Sequence, residues 1–175
     1  MNDSKKRIRL IVYSGVIAAL YVVLTLPIAQ FAFGPVQFRL AESLTILPVF
    51  AFGYIPGLSL GCFLANLLNP SNLGPVDIIG GTAATLIAGF LSRILGKKNK
   101  FLGIIPPILV NGLIVGGYLP FLLLDKDSEI TAAAVGISMA EVAVSEAIVV
   151  ITIGLPLMFI IMKTPALKSL IERVN

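Results

Sequence analysis

Apolar residues in this chain come in long runs, and polar residues collect in the short gaps between them. The first run extends from Ile8 to Ala29 behind a basic N-terminal segment. The pattern predicts six helices, at residues 9–28, 42–52, 55–68, 76–95, 101–124 and 131–162. The breaks between them combine residues that end helices or make turns: Phe33-Gly34-Pro35, Gly53-Tyr54-Ile55-Pro56-Gly57, Asn69-Pro70-Ser71-Asn72 and Gly96-Lys97-Lys98-Asn99-Lys100. The second and third helices are short. At about 1.5 Å per residue neither reaches across a hydrocarbon core of about 30 Å. They either leave a thin, wet region or form a hairpin that enters and leaves one side.

Composition decides the solvent. With 57% hydrophobic residues, 13% charged residues and a mean hydropathy of +1.00 over 175 residues, the chain has too little polar surface to cover a water-soluble globule. One integral membrane domain spanning residues 1–175 is expected. The first run is long enough for a full span, and no small-x-small cleavage site precedes a polar region, so it reads as a transmembrane helix. If the N-terminus is cytoplasmic and all six segments cross, the basic residues near both termini and between the fourth and fifth helices lie inside. Only Arg39 and Lys126 then lie outside. The net charge of +4 therefore reads as membrane orientation, with no nucleic-acid partner needed to explain it. Cys62 has no partner cysteine and the chain has no histidine, which excludes an internal disulfide and any His-based metal or acid–base site.

Small residues recur at four-residue spacing: Gly15 with Ala19, Gly57 with Gly61 and Ala65, Gly80 with Ala84 and Ala88, Gly112 with Gly116. Such stripes let helices pack closely where lipid supplies no hydrophobic drive. On the first helix, a terminal span with one face free, Gly15, Ala18 and Ala19 are candidates for contact with a partner protein. Polar groups inside the spans are costly and so mark candidate sites. Asn111, Val115 and Tyr118 share one face of the fifth helix, beside glycines. Ser138, Glu141, Ser145 and Thr152 make a polar stripe on the sixth, with Glu146 about 100° from Ser145. Glu141 is the stronger candidate and Glu146 reads more readily as an internal hydrogen-bonding acid. Asp77, after Gly74-Pro75, reads first as a helix cap, and Asn69 as a capping or turn residue; Asn66 is less easily explained that way. Arg39 and Glu42, three apart where a loop meets a helix, are placed to pair, with Gly34 and Pro35 as a hinge before them.

No phosphate-binding loop, HExxH, GxSxG or metal-ligating cluster is present, so an enzyme is not expected. The segments "GPVQFRLAESLTILP", "IPGLSLGCFLANLL" and "GPVDIIGGTAATLIA" resemble the queuosine-precursor transporter (QueT) family of substrate-binding S components of energy-coupling factor (ECF) transporters. The resemblance implies an all-α, six-transmembrane-helix bundle with both termini cytoplasmic, in the cell membrane of a Gram-positive bacterium. It implies a partner module of one membrane coupling protein and two ATPases that use ATP, no cofactor in this chain, and queuine or another 7-deazaguanine base as ligand. Against such a ligand, Glu141 would take the guanine-like donor edge and Asn111 the carbonyl. Tyr118 and Phe38 would stack on the ring, and Glu42 or Asp77 would meet the cationic tail. Arg39, Asn66 and Ser145 complete the candidate binding set. An S component for another heterocycle and a stand-alone proton-coupled carrier share the same pattern.

Overall fold

The computed structural model describes residues 3–33, 37–71, 73–124 and 129–172. Gly34 and Pro35, the expected hinge, and Lys126 lie outside them. The described residues are helical throughout, apart from short connections. α1 (Asp3–Thr25) is continued by a short 3₁₀ turn and α2 (Ala29–Ala32). A long 3₁₀-helix follows at Leu40–Val49, then α3 (Ile55–Leu67), α4 (Pro75–Lys98), α5 (Ile105–Leu123), α6 (Ala132–Val149), a π turn at Val150–Gly154, α7 (Leu155–Lys163) and α8 (Pro165–Glu172). Four stretches, Arg7–Ala32, Pro75–Lys98, Lys100–Leu123 and Ala132–Lys163, are long and apolar enough to cross a bilayer, with Leu40–Val49 and Phe52–Leu67 as shorter apolar helices.

The pairing of these helices follows from the small residues. A Cβ placed on Gly57 would fall 2.8 Å from the backbone of Ser14, and one on Gly61 would fall 2.6 Å from Tyr21 Cβ, so α1 and α3 lie side by side and parallel. Between α5 and α6 the closest approaches are Gly112 to Ala143 and Gly116 to Met139, which makes that pair antiparallel. Gly80 and Gly81 on α4 make room for the Tyr118 ring and the Asn66 amide respectively. With Gly81 against Asn66 and Gly89 against Ile55, α3 and α4 are antiparallel too. Tyr54 packs edge-on against Tyr13 and donates its hydroxyl to the Ile171 carbonyl at 3.2 Å, which gathers the early part of α1 and the end of α8 at one end of the bundle. The basic turn after α4 lies at that same end, since Arg93 donates to the Val49 and Phe50 carbonyls.

The second helix departs from expectation in its winding. Ser43 Oγ donates to the Leu40 carbonyl at 2.7 Å and Thr45 Oγ1 to the Glu42 carbonyl at 2.6 Å, both three residues back, and Pro48 has no N–H to give. A 3₁₀-helix rises about 2.0 Å per residue, so Leu40–Val49 spans about 20 Å where an α-helix would span about 15 Å. Its first turn meets α1 at Tyr21 and its last meets α4 at Arg93, so it runs from one end of the bundle to the other and does not turn back. Nearly every residue of it is buried, and its Ile46 joins Leu58, Val150, Met158 and Ile161 in the main core. A smaller cluster of Ala84, Val115, Leu119 and Val142 lies between α4, α5 and α6.

The sixth expected helix is interrupted. The π turn inserts an extra residue where Gly154 packs closely on Ser43 and Ile46 of the 3₁₀-helix. The extra residue shifts the helical phase at this point, and Thr152, expected on the polar stripe, is exposed and bonds back to the Ile148 carbonyl.

Candidate functional site

At the end of the bundle opposite the basic turn, the chain returns over the helix ends as the segment Gln37–Arg39. Three contacts hold this strap. The Phe38 N–H donates to the Phe31 carbonyl at 2.8 Å, Arg39 Nε donates to the Ala32 carbonyl at 3.0 Å, and Ser145 Oγ on α6 reaches the Gln37 carbonyl at 3.4 Å. Gln37 sits at φ 44°, a left-handed conformation unusual for a residue with a side chain and of the kind found where the fold constrains a binding segment. Phe33 lies beneath the Arg39 guanidinium, 4.9 Å from it.

Beneath the strap is a small cavity of about 10 Å³, lined by Gln37, Arg39, Glu42, Asn111, Val115, Val142 and Glu146. In this conformation it has room for about one water. Gln37, Arg39, Glu42, Asn111 and Glu146 are all buried. The Glu42 and Glu146 side chains are within interaction range of each other, with Asn111 beside both. Four buried polar atoms around this space have no hydrogen-bond partner among the described residues: Gln37 Nε2, Arg39 Nη2, Glu42 Oε2 and Glu146 Oε1. Each such atom costs about 1–3 kcal/mol if left dry and unpaired. Four gathered around one cavity leave hydrogen-bonding capacity there that the described residues do not use.

Two further groups brace the site. Tyr21 on α1, fully buried, donates its hydroxyl to Glu42 Oε1. Tyr118 on α5 donates to Asp77 Oδ1 at 2.8 Å, and that same oxygen stands 3.9 Å from Arg39 Nη2, an ion pair too long to be a hydrogen bond. The Asn66 amide donates to the Asp77 carbonyl at 3.0 Å. Tyr21→Phe removes the donor and leaves a buried acceptor on Glu42. The expected cost is about 1–3 kcal/mol of stability, read as a lower unfolding midpoint in detergent; an unchanged midpoint would mean that another donor replaces the phenol.

The sequence-predicted residues thus fall into four sets. Arg39, Glu42 and Asn111 line the cavity, and Ser145 ties the strap above it. Asp77, Tyr118 and Asn66 form an adjoining polar cluster that meets the cavity through Arg39. Phe38 contributes its backbone to the strap and is half-buried. Glu141 is elsewhere: it is exposed, in an apolar groove between α5 and α6 with Leu119, Pro120, Ile137 and Ser138.

Several expected local roles change. Arg39 spends its guanidinium on Ala32 and Asp77, while Glu42 takes its hydrogen bond from Tyr21, so the expected link between Arg39 and Glu42 is not the contact that shapes the strap. Asp77 does not cap α4; Gly74, at φ 87°, takes the cap position and the carboxylate is drawn to Tyr118. Asn69 makes the expected turn, accepting from the Ser71 N–H at 2.8 Å. Ala18 is buried against Gly61, so on α1 only Gly15 and Ala19 of the three partner candidates face outward.

Gln37, Tyr21 and Glu146 were the residues undervalued by sequence reasoning. The signal for Glu146 was its four-residue spacing from Val142, which places the two about 40° apart on α6, whereas Glu141 is about 100° from Val142. Nothing in the local pattern shows that Val142 faces the core. That is decided by the contact of α6 with α5 through Gly112 and Gly116.

Comparison with known proteins gives a family model described as QueT transporter, which matches residues 11–163. Among curated proteins, the queuosine precursor transporter QueT of Lactococcus lactis subsp. cremoris (strain MG1363) is 38% identical over 92 residues, covering 51% of this chain and 53% of that protein. The matched region thus spans about half the length of that relative. No solved structure matches the chain.

Proposed function

The chain belongs to the QueT transporter family, and on that premise we propose that it is the substrate-binding membrane subunit of an ECF transporter that imports a queuosine precursor, a 7-deazaguanine base such as queuine. The observation that carries this reading is the acceptor-rich cavity under the strap. One cation, Arg39, stands among three carboxyl groups, Glu42, Glu146 and Asp77, with the Asn111 and Gln37 amides beside them. A 7-deazaguanine offers ring N–H and amino donors with a carbonyl acceptor beside them on the same edge and, in its aminomethyl forms, a cationic nitrogen. Glu146 suits the donor edge, Asn111 or Gln37 the carbonyl, and Glu42 or Asp77 the cationic tail. Glu146 takes the role first expected of Glu141, because Glu146 is the acid that faces the cavity.

The present cavity is too small for a bicyclic base, so uptake requires the strap to lift. Lifting it breaks three single hydrogen bonds and parts Arg39 from Asp77 and the Phe33 ring. The basic residues at the end shared by both terminal helices support a reading with that end in the cytoplasm, the strap and cavity outside, and six crossings. The exposed stripe of Gly15 and Ala19 on α1 is the surface offered to the coupling protein. A Cβ on Gly15 would meet nothing within 4 Å in the isolated chain. Gly15→Leu is therefore expected to leave ligand binding within about twofold and to reduce assembly with the ATPase-bearing module by about tenfold or more, measured by co-purification. Equal assembly would remove α1 as the partner surface.

The reading is tested by titrating purified protein with queuine, its aminomethyl precursor and a panel of pyrimidine, pterin and flavin compounds, following the unfolding midpoint. Stabilisation by the 7-deazaguanines alone supports it, and stabilisation by another heterocycle reassigns the ligand. Uptake of labelled queuine into liposomes by this chain without ATPase partners would make it a stand-alone carrier.

A further inference from the structure

We propose that Glu42 and Glu146 under the strap hold one proton between them when the cavity is empty and give it up to water when a cationic ligand enters, so that the pair selects a base carrying an ammonium group over a neutral one. This rests on the reading of the cavity as the ligand site, and it names the feature of the ligand that the site recognises. The charges under the strap do not balance. Arg39 stands 3.9 Å from Asp77, whose charge it offsets, and it is the one cation facing the cavity among the described residues. Glu42 and Glu146, 2% and 5% exposed and within interaction range of each other, have no second cation between them. The neighbouring elements bring none: Tyr21 on α1 and Tyr118 on α5 supply neutral hydroxyls, Cys62 on α3 a thiol, and Asn111 on α5 an uncharged amide.

Two carboxyl groups set together in a buried site do not both ionise, because their repulsion is barely screened there. A shared proton also accounts for two of the unpartnered atoms. Glu42 Oε1 takes the Tyr21 hydroxyl, which leaves Glu42 Oε2 and Glu146 Oε1 without a partner. A proton on one of these oxygens makes that carboxyl a donor to the other. Ligand entry then exchanges one positive charge for another. With the cavity empty, Arg39 faces two carboxylates and one carboxylic acid; with a cationic base bound, Arg39 and the ammonium together face three carboxylates. The excess of negative charge is the same before and after. A neutral base brings no charge to replace the proton, so the proton stays and the base's N–H donors meet a carboxylic acid in place of a carboxylate, a weaker acceptor. Asp77 is already matched by Arg39, which leaves Glu42 as the partner of the ammonium and Glu146 as the acceptor for the ring and amino donors.

The test compares 7-aminomethyl-7-deazaguanine, a cation at neutral pH, with 7-cyano-7-deazaguanine, a neutral base of similar size. The full chain in detergent is titrated calorimetrically with each, at neutral pH, in two buffers of different ionisation enthalpy. The dependence of the heat on the buffer counts the protons released. About one proton is expected for the aminomethyl base and none for the cyano base, with the aminomethyl base bound about tenfold or more tightly. Infrared difference spectra of the ligand-free protein, wild type minus Glu146→Gln, are expected to show the carbonyl stretch of a protonated carboxyl, and binding of the aminomethyl base to wild type removes that band. Proton release by neither base, or equally by both, overturns the exchange, as does absence of the band. If neither base binds, the reading of the cavity as the ligand site fails, and the ligand-free spectra still decide whether the pair carries a proton.

Discussion

Replacing Glu146 by Gln is expected to weaken binding of a 7-deazaguanine base by about a hundredfold or more, while Glu141→Gln changes it by less than about twofold. The two acids sit five residues apart on one helix, and the structure separates them: Glu146 is buried in the cavity with an unpartnered oxygen, and Glu141 is exposed in the groove between α5 and α6. A carboxylate that accepts two hydrogen bonds from a donor edge loses both the charge and one acceptor on becoming an amide, and its NH₂ then faces the ligand's own donors. Hydrogen bonds to charged groups contribute about 1.5–3 kcal/mol each, and the loss of a pair corresponds to more than about a hundredfold in affinity. Isothermal titration of both variants decides the point. Unchanged binding in Glu146→Gln would sink the assignment of the cavity as the ligand site, whatever the family does elsewhere. A large loss in Glu141→Gln would move the site to the outer groove.

Gly116→Val is expected to cost about 3 kcal/mol or more and to leave little folded protein in detergent. A Cβ at Gly116 would lie 2.5 Å from Met139 Cα and 2.9 Å from both Met139 N and the Ser138 carbonyl oxygen. All three are backbone atoms, so no side chain can rotate away and α6 itself must move outward. That movement would separate Ser145 from the Gln37 carbonyl and carry Glu146 away from Asn111, so the site is lost with the packing. Overpacking of this kind is among the few routes by which one substitution removes several kcal/mol. Gly15→Leu is the matched control, since the same kind of change there meets open space. An equal yield and unfolding midpoint for Gly116→Val would show that the α5–α6 contact is looser than its geometry.

The predicted segments overlap the observed helices, apart from the π turn that divides the sixth and the unexpected α8, because both depend on the length of an apolar run between residues that end helices. The small-residue stripes were legible for a related reason: glycine at every fourth position can serve close packing wherever the partner helix is, and Gly57, Gly61, Gly112 and Gly116 all do so. The winding of Leu40–Val49 was not legible as a 3₁₀-helix, although Ser43, Thr45 and Pro48, which favour it, are visible in the sequence. Their effect is small for any one residue, and the segment holds this winding within a tight sleeve of α1, α4 and the π turn.

Taken alone, the sequence settled that this is a bundle of apolar helices, roughly where most of them lie, and that acids, amides and one arginine are set among them without catalytic company. Only the tertiary structure decided which of those polar groups meet. Glu146 was chosen over Glu141, Asp77 over Glu42 as the ion-pair partner of Arg39, and Ala18 was turned inward from Gly15 and Ala19. Hydropathy reports how far a residue lies along a helix. Which way it points depends on the rotation of that helix against its neighbours, and contacts between distant parts of the chain set that rotation.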